Sequence, residues 1–224
     1  IDVPGAVHHV AISPDGKFAV VSNPSEGTIS AINLGTYEIS DTLFTGELPN
    51  FVVFSPTTGR AYVSNGGENT ISEIDPTTWK VTRKFKTGEG PGHLAMSKDG
   101  QKIYSANGGD GTVSEINVKD GVGTRTFEIG DMLHGIDISS DAKTLFVSAL
   151  EQDRLVAVDL KTQQKRNVGV TTPFHLAAVG GTGKLYVSSA DKPEIKVIDQ
   201  TSLAVLGTIS IGGQGHQMAL SPGS

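Results

Sequence analysis

The chain has 224 residues, 37% of them hydrophobic, with 28 glycines, a formal charge of -6 and no cysteine. An acidic chain without a basic run is not built to bind nucleic acid or an anionic membrane surface, and its apolar runs are too short to span a bilayer. The missing cysteines rule out disulfides, thiolate metal sites, cysteine nucleophiles, a cysteine-bridged dinuclear copper centre and covalent attachment of a c-type haem.

In chain order, IDVPG (1–5) reads as the end of an outer strand, like TISIG at 208–212. GAVHHVAISPDGKFAVVSN (5–23) follows, with two histidines ahead of an apolar strand, a turn and a second strand. The next full unit is clearest. FVVFS (51–55), AYVSN (61–65), TISEID (70–75) and VTRKFKTG (81–88) read as four strands a, b, c and d. SPTTGR, GGEN and PTTWK supply the residues that chain reversal needs. TISEID alternates with period two, and no segment carries an apolar stripe of helical period and length.

The same markers return along the chain. VVSN, YVSN, YSAN, FVSA and YVSS end at Asn23, Asn65, Asn107, Ala149 and Ser189, in steps of 42, 42, 42 and 40 residues. AIN, EID, EIN, AVD and VID end at Asn33, Asp75, Asn117, Asp159 and Asp199 with the same steps, and Gly46, Gly88 and Gly130 mark the register a third time. Four strands in about 42 residues is the period of a β-propeller blade. The expected fold is all-β: a propeller of four-stranded blades, five complete repeats and a partial sixth. Val21, Tyr62, Val63, Val147 and Tyr186 are expected to pack between blades.

SPDGKFAVVSN, SPTTGRAYVSNGGENTISEID and SKDGQKIYSANGGDGTVSEIN resemble the YVTN-type β-propeller repeat, written here as YVSN. The resemblance covers essentially the whole chain. It implies radially arranged blades and a place outside the cytoplasm, periplasmic or extracellular, while leaving carrier, surface and redox roles open.

The ends are expected to be incomplete. The chain starts at Ile1 without a preceding signal segment, as a processed form or a piece of something longer. Residues 1–224 form one propeller domain in which the N-terminus offers a d strand and GQGHQMALSPGS (213–224) an a strand of a sixth blade, with no b or c. Another chain or a missing segment is the partner expected to complete the ring, because open sheet edges are adhesive.

All six histidines sit at one place in the repeat. Counting back from the residue that closes strand a (Ser13, Ser55, Ser97, Ser139, Val179, Ser221), His9, His93 and His175 are four positions before it. His8, His134 and His216 are five before it, while the second repeat has Asn50 and Phe51 there. Strand a is the innermost strand of a blade, so these side chains converge on one channel mouth. Neutral imidazoles are ligands for copper and zinc, which makes His8, His9, His93, His134, His175 and His216 the candidate metal ligands. The placement resembles the catalytic copper site of nitrous oxide reductase, seen here in VHH, PGH, LHG, PFH and QGH, without that family's cysteine-bearing copper domain. A channel mouth also takes polar residues simply to hold water or a carbonyl.

Strand alternation predicts which rings meet. One direction pairs His9 with Asn50, His93 with His134 and His175 with His216; the other pairs His93 with Asn50 and His134 with His175, and sets His8 opposite Phe51. The first gives every four-back histidine a polar partner and is the expected one. Asp15, Asp99 and Asp141 read as turn residues, Glu68 and Asp110 as hairpin residues, and Trp79 as a surface residue of a c–d turn. GGTG (180–183) precedes no helix and is no phosphate loop. The expected function is an extracytoplasmic binding or scaffold propeller with copper or zinc at its histidine-lined mouth. A copper-dependent redox enzyme, or the propeller subunit of one, is a second reading. A surface protein-interaction module without metal is a third.

Overall fold

The computed structural model describes residues 1–216, 218 and 219. The strands form five antiparallel four-stranded sheets, each in chain order. The first holds β1 (Val10–Ile12), β2 (Phe18–Asn23), β3 (Thr28–Asn33) and β4 (Glu38–Phe44). The second holds β5 (Pro49–Phe54), β6 (Ala61–Asn65), β7 (Thr70–Asp75) and β8 (Lys80–Lys86). The third holds β9 (Pro91–Met96), β10 (Lys102–Asn107), β11 (Thr112–Asn117) and β12 (Gly123–Glu128). The fourth holds β13 (Leu133–Ile138), β14 (Thr144–Ala149), β15 (Arg154–Asp159) and β16 (Lys165–Gly169). The fifth holds β17 (Pro173–Val179), β18 (Lys184–Ser189), β19 (Glu194–Asp199) and β20 (Val205–Ser210). These are the five blades of a β-propeller fold. Among the described residues the terminal segments expected to supply a sixth blade form no strand, and the end of the second one, from Leu220, lies outside the described residues.

Each repeat marker has a physical task. The serine closing strand a and the aspartate two residues on build the a–b turn. Ser13 donates to Asp15 at 2.7 Å and accepts the Phe18 N–H at 3.0 Å. Ser97 with Asp99 and Ser139 with Asp141 repeat the arrangement. These hydroxyls hold all three carboxyls below the usual aspartate range, so Asp15, Asp99 and Asp141 are turn-builders. The Asn or Asp ending strand c accepts backbone N–H groups two residues on, at Asn33, Asp75, Asn117, Asp159 and Asp199. Four residues after the end of each strand c a left-handed residue reverses the chain: Tyr37, Trp79, Gln163 and Leu203, with glycine at Gly121.

Two compact units divide the chain, Ile1–Thr126 and Phe127–Ser224. In the first, Val20, Ile29, Val52, Ala61, Val63 and Ile74 form one core between the first two sheets, and Tyr62, Ile71, Phe85, Leu94, Ile103 and Ile116 form another between the second and third. In the second unit, Phe146, Leu155, Leu185, Val187 and Ile198 form the core between its two sheets. Val21, Tyr62, Val63 and Val147 are buried as the pattern requires, and Tyr186 is half-buried. Each such aliphatic side chain taken out of water contributes about 1.5–3 kcal/mol.

Candidate functional site: the start of the first strands

The first strand of a blade does not start as a regular strand. Pro49 pairs with Asn65 and Val52 with Val63, so one extra residue sits opposite β6 in between. The same shift occurs between Pro91 and Leu94, between Leu133 and Ile136, and between Pro173 and Leu176. It is a β-bulge at the position the histidines occupy.

The serine of the YVSN motif serves this bulge. Ser22 accepts the His9 N–H at 3.1 Å, Ser64 that of Phe51 at 3.0 Å and Ser188 that of His175 at 3.0 Å. Two of these hydroxyls also donate to the next blade, Ser22 to the Asn50 carbonyl at 2.6 Å and Ser64 to that of Gly92 at 2.5 Å, and Ser148 of the fourth blade donates to the Phe174 carbonyl at 2.9 Å. One buried hydroxyl thus satisfies the bulge and ties neighbouring blades together. The asparagine beside it faces the other way. Asn23, Asn65 and Asn107 each donate to a threonine and a serine of strand c in their own blade.

In the first unit the histidines flank an aromatic ring. His9 stacks on Phe51 with ring centroids 3.7 Å apart, and His93 stacks on Phe51 at 4.3 Å. His9 and His93 are buried and His8 is exposed. Hydrogen bonding separates the two adjacent histidines. The Val52 N–H donates to His9 Nδ1 at 3.2 Å. A backbone N–H is only a donor, so His9 carries its single proton on Nε2 and has no free lone pair for a metal. His8 is the reverse. Its Nδ1 faces the Asn50 carbonyl at 3.4 Å, which only accepts. In the neutral ring His8 therefore donates from Nδ1 and keeps the Nε2 lone pair, the tautomer of a metal-bound imidazole anchored to a carbonyl.

In the second unit the rings draw together. His134 stacks on Phe174 at 3.6 Å and meets His175 edge-on at 5.2 Å. His175 is also 5.7 Å from His216, which is exposed, and Phe174 meets both His175 and His216 edge-on. A ring nitrogen of His134 and one of His175 lie within 4.8 Å of each other. Two metal–nitrogen bonds of about 2.0–2.1 Å span about 4.2 Å when collinear and about 3.4 Å at a tetrahedral ion, so the rings must draw closer together to share one. Gly135 makes this approach possible. A Cβ there would stand 2.3 Å from the Phe174 carbonyl oxygen, so the four-back position of this blade accepts no side chain.

Strict alternation does not hold here. The expected pair of His175 with His216 is present, but His175 also stands beside His134, which alternation assigns to the other direction. His9 takes the Val52 N–H, and the contact with Asn50 falls to His8. Phe51 faces His9 rather than His8. The bulge is the physical reason, since its extra residue interrupts the period-two rule at the histidine positions. Phe51 enters the sequence reading only opposite His8, and Phe174 does not enter it as a member of the cluster. Both occupy histidine register positions, which was the available signal.

A second polar arrangement recurs in the first unit. Glu73, 2% exposed, accepts from Arg60 at 3.1 Å, Thr82 at 2.7 Å and Tyr62 at 3.2 Å, and pairs with Arg83. Glu115, 1% exposed, accepts from Lys102 at 2.8 Å, Thr124 at 2.6 Å and Arg125 at 2.5 Å. Burial pushes both carboxyls up, but the hydrogen bonds and charges of their cations win, holding Glu73 below its ordinary value and Glu115 at about 2. Burial first, and then the neighbouring carboxylate, raise the hydroxyls of Tyr62 and Tyr104. Every ionised group has a partner, which marks a structural network rather than an acid or base waiting for substrate.

A family model described as YNCE-like β-propeller matches residues 45–212. A solved structure, Kuenenia stuttgartiensis hydrazine synthase, superposes with a TM-score of 0.76 at 19% identity over 90% of this chain. The chain spans 65% of that protein's length, and at this identity the likeness concerns the fold alone. No curated protein matches the chain. Among the described residues no helix is long and apolar enough to cross a membrane.

Proposed function

The chain belongs to the YNCE-like β-propeller family, and on that footing we propose that it is an extracytoplasmic binding or scaffold propeller whose bulged first strands bind copper or zinc through histidine. One observation carries the reading: ring nitrogens of His134 and His175 lie within 4.8 Å of each other, beside Phe174. Imidazole suits both metals, and both bind it as the neutral ring. His216, next to His175, is the candidate for a third donor within the same unit. His8 has the ligand tautomer, whereas His9 is fixed in the opposite one and serves to hold Phe51. The resemblance to extracytoplasmic YVTN-type propellers supports the location. Metal, when bound, supplies a Lewis-acidic centre; the chain's own residues orient the imidazoles and shield them with an aromatic wall.

The test is calorimetric titration of the purified, chelator-treated protein with Cu(II) and with Zn(II), alongside melting curves. Saturable binding with a raised melting temperature is expected for at least one metal. It should be lost in His134→Ala/His175→Ala and retained in His9→Gln; His8→Ala, His93→Ala and His216→Ala assign any further ligands. Absence of binding, or binding unchanged in the double variant, overturns the reading.

A further inference from the structure

At the other end of the first strands, far along the sequence register from the histidines, the first unit has a groove of about 510 Å³. It is lined by Ser13, Asp15 and Lys17 of the β1–β2 turn, Phe18 of β2, Thr58 of the β5–β6 turn, and Thr77 and Trp79 of the β7–β8 turn. Its volume falls in the range of small-molecule sites. Phe18 and Trp79 meet edge to face, 5.2 Å apart at 78°, and form two walls of an apolar corner over the core of the first two sheets.

Trp79 is not demanded by the backbone. It sits at φ 48°, in the left-handed region, which is a strained place for a bulky side chain. The left-handed turn is common to the repeat: Tyr37, Gln163 and Leu203 hold the same position at φ 59°, 63° and 61°, and Gly121 at φ 71°. The turn therefore does not dictate the side chain, and here it presents an indole that packs against the core of the first two sheets.

The rim complements the corner. Asp15 and Lys17 pair at 3.4 Å with side chains 52% and 72% exposed, so their charges cancel while their donor and acceptor atoms stay accessible. Thr58 and Thr77 add hydroxyls. An aromatic corner within a neutral, hydroxyl-rich rim fits a molecule with an apolar C–H face and a hydroxyl edge. A neutral pyranose ring has both. A phosphate or carboxylate ligand would meet no net positive charge, and a purely apolar ligand would leave the rim unused.

The second unit contains its own control. A smaller groove of about 300 Å³ is framed by Ser139, Asp141 and Lys143, the counterparts of Ser13, Asp15 and Lys17. Thr144 replaces Phe18, and Asp159 and Arg166 introduce charge. The frame repeats; the aromatic corner belongs to the first unit.

We propose that the Phe18–Trp79 groove is a binding site for a neutral saccharide, with a pyranose face against Trp79 and ring hydroxyls on Asp15, Lys17, Thr58 and Thr77. The site is independent of the histidines. Trp79 is the chain's one tryptophan, so fluorescence excited selectively at tryptophan, away from the four tyrosines, reports on this groove. The experiment titrates the full chain with methyl glucosides, maltose, cellobiose and chitobiose, and with a proline-rich dodecapeptide, because aromatic grooves also accept such segments. A saturable change in Trp79 emission with at least one saccharide is expected, weakened at least tenfold in Phe18→Ala and in the rim-filling Thr58→Arg. It should be unchanged in Lys143→Ala, with melting curves showing that each variant is folded. No saturable response to any of these saccharides, a response to the peptide alone, or saccharide binding that survives both groove variants overturns the assignment.

Discussion

The two units use the same repeat and hold it together differently. In the first, the second and third blades each bury a glutamate among cations contributed by neighbouring strands. In the second, Thr144, Phe146 and Ala157 stand 42 residues on from Lys102, Tyr104 and Glu115, and Phe146 and Ala157 are part of an apolar core. The asparagine ties divide in the same way. Asn23, Asn65 and Asn107 bridge to strand c in the first unit, whereas Ala149 and Ser189 stand there in the second. The blade is therefore specified by its turns, its bulge and its apolar positions, and the middle of the sheet tolerates either a satisfied polar network or an apolar filling. That agrees with the general finding that a buried ion cluster and a well-packed apolar replacement differ little in stability, while a broken cluster is costly.

The sharpest way to break the comparison is to strand a carboxylate. Lys102→Met with Arg125→Met leaves Glu115, 1% exposed, with hydroxyl partners and no cation. Denaturant unfolding should show a loss of about 3–5 kcal/mol. Converting the same blade to the pattern of the fourth, with Lys102→Thr, Tyr104→Phe and Glu115→Ala, should recover most of that loss. If the converted blade is as unstable as the stranded one, the two units are not interchangeable solutions.

A smaller effect is expected at the asparagine. Asn65→Ala removes the donor that Thr70 and Ser72 share at 3.1 and 3.0 Å, in a residue with no exposed surface. Leaving buried hydroxyls short of a partner costs about 1–3 kcal/mol. Ala149→Asn, placed opposite Arg154 in the second unit, with Val156 where the first unit has a serine, should destabilise rather than stabilise. A stabilised Ala149→Asn variant contradicts the view that the tie works only as a set.

The strand grammar was legible because turns and pairing follow local chemistry repeated every 42 residues. AYVSN and TISEID are β6 and β7 to the residue. The first strand was read as starting at Phe51, yet β5 starts at Pro49, because the bulge interrupts the alternation by which a strand is recognised. The same interruption hid that His175 also meets His134 and that His8, not His9, reaches Asn50. The tautomers of His8 and His9 depend on Asn50 and Val52, 42 and 43 residues away, and no local pattern reports them. The glutamate networks were hidden for a related reason. Arg60, Glu73 and Arg83 come from three strands and look like ordinary surface charges in sequence. Their repetition 42 residues later as Lys102, Glu115 and Arg125 was the signal available.

Acid gives the mildest test of the difference between the units. Glu115 titrates at about 2 in the folded chain against an ordinary 4.5, and Glu73 is also lowered. A group whose folded value is depressed contributes its full stabilisation above the ordinary value and loses it as pH falls toward the folded one. Stability of the native chain should therefore decline between about pH 4.5 and 2. The turn aspartates Asp15, Asp99 and Asp141 are lowered as well and add to the decline in both units. Subtraction removes them: the blade carrying Lys102→Thr, Tyr104→Phe and Glu115→Ala keeps every turn aspartate and lacks only this cluster. Its unfolding free energy, measured at pH 6, 4 and 2.5, should fall less steeply than that of the native chain. Parallel slopes would mean that Glu115 gains nothing from its cations in the folded state, and that the polar filling of the first unit is not the ionised network that its geometry describes.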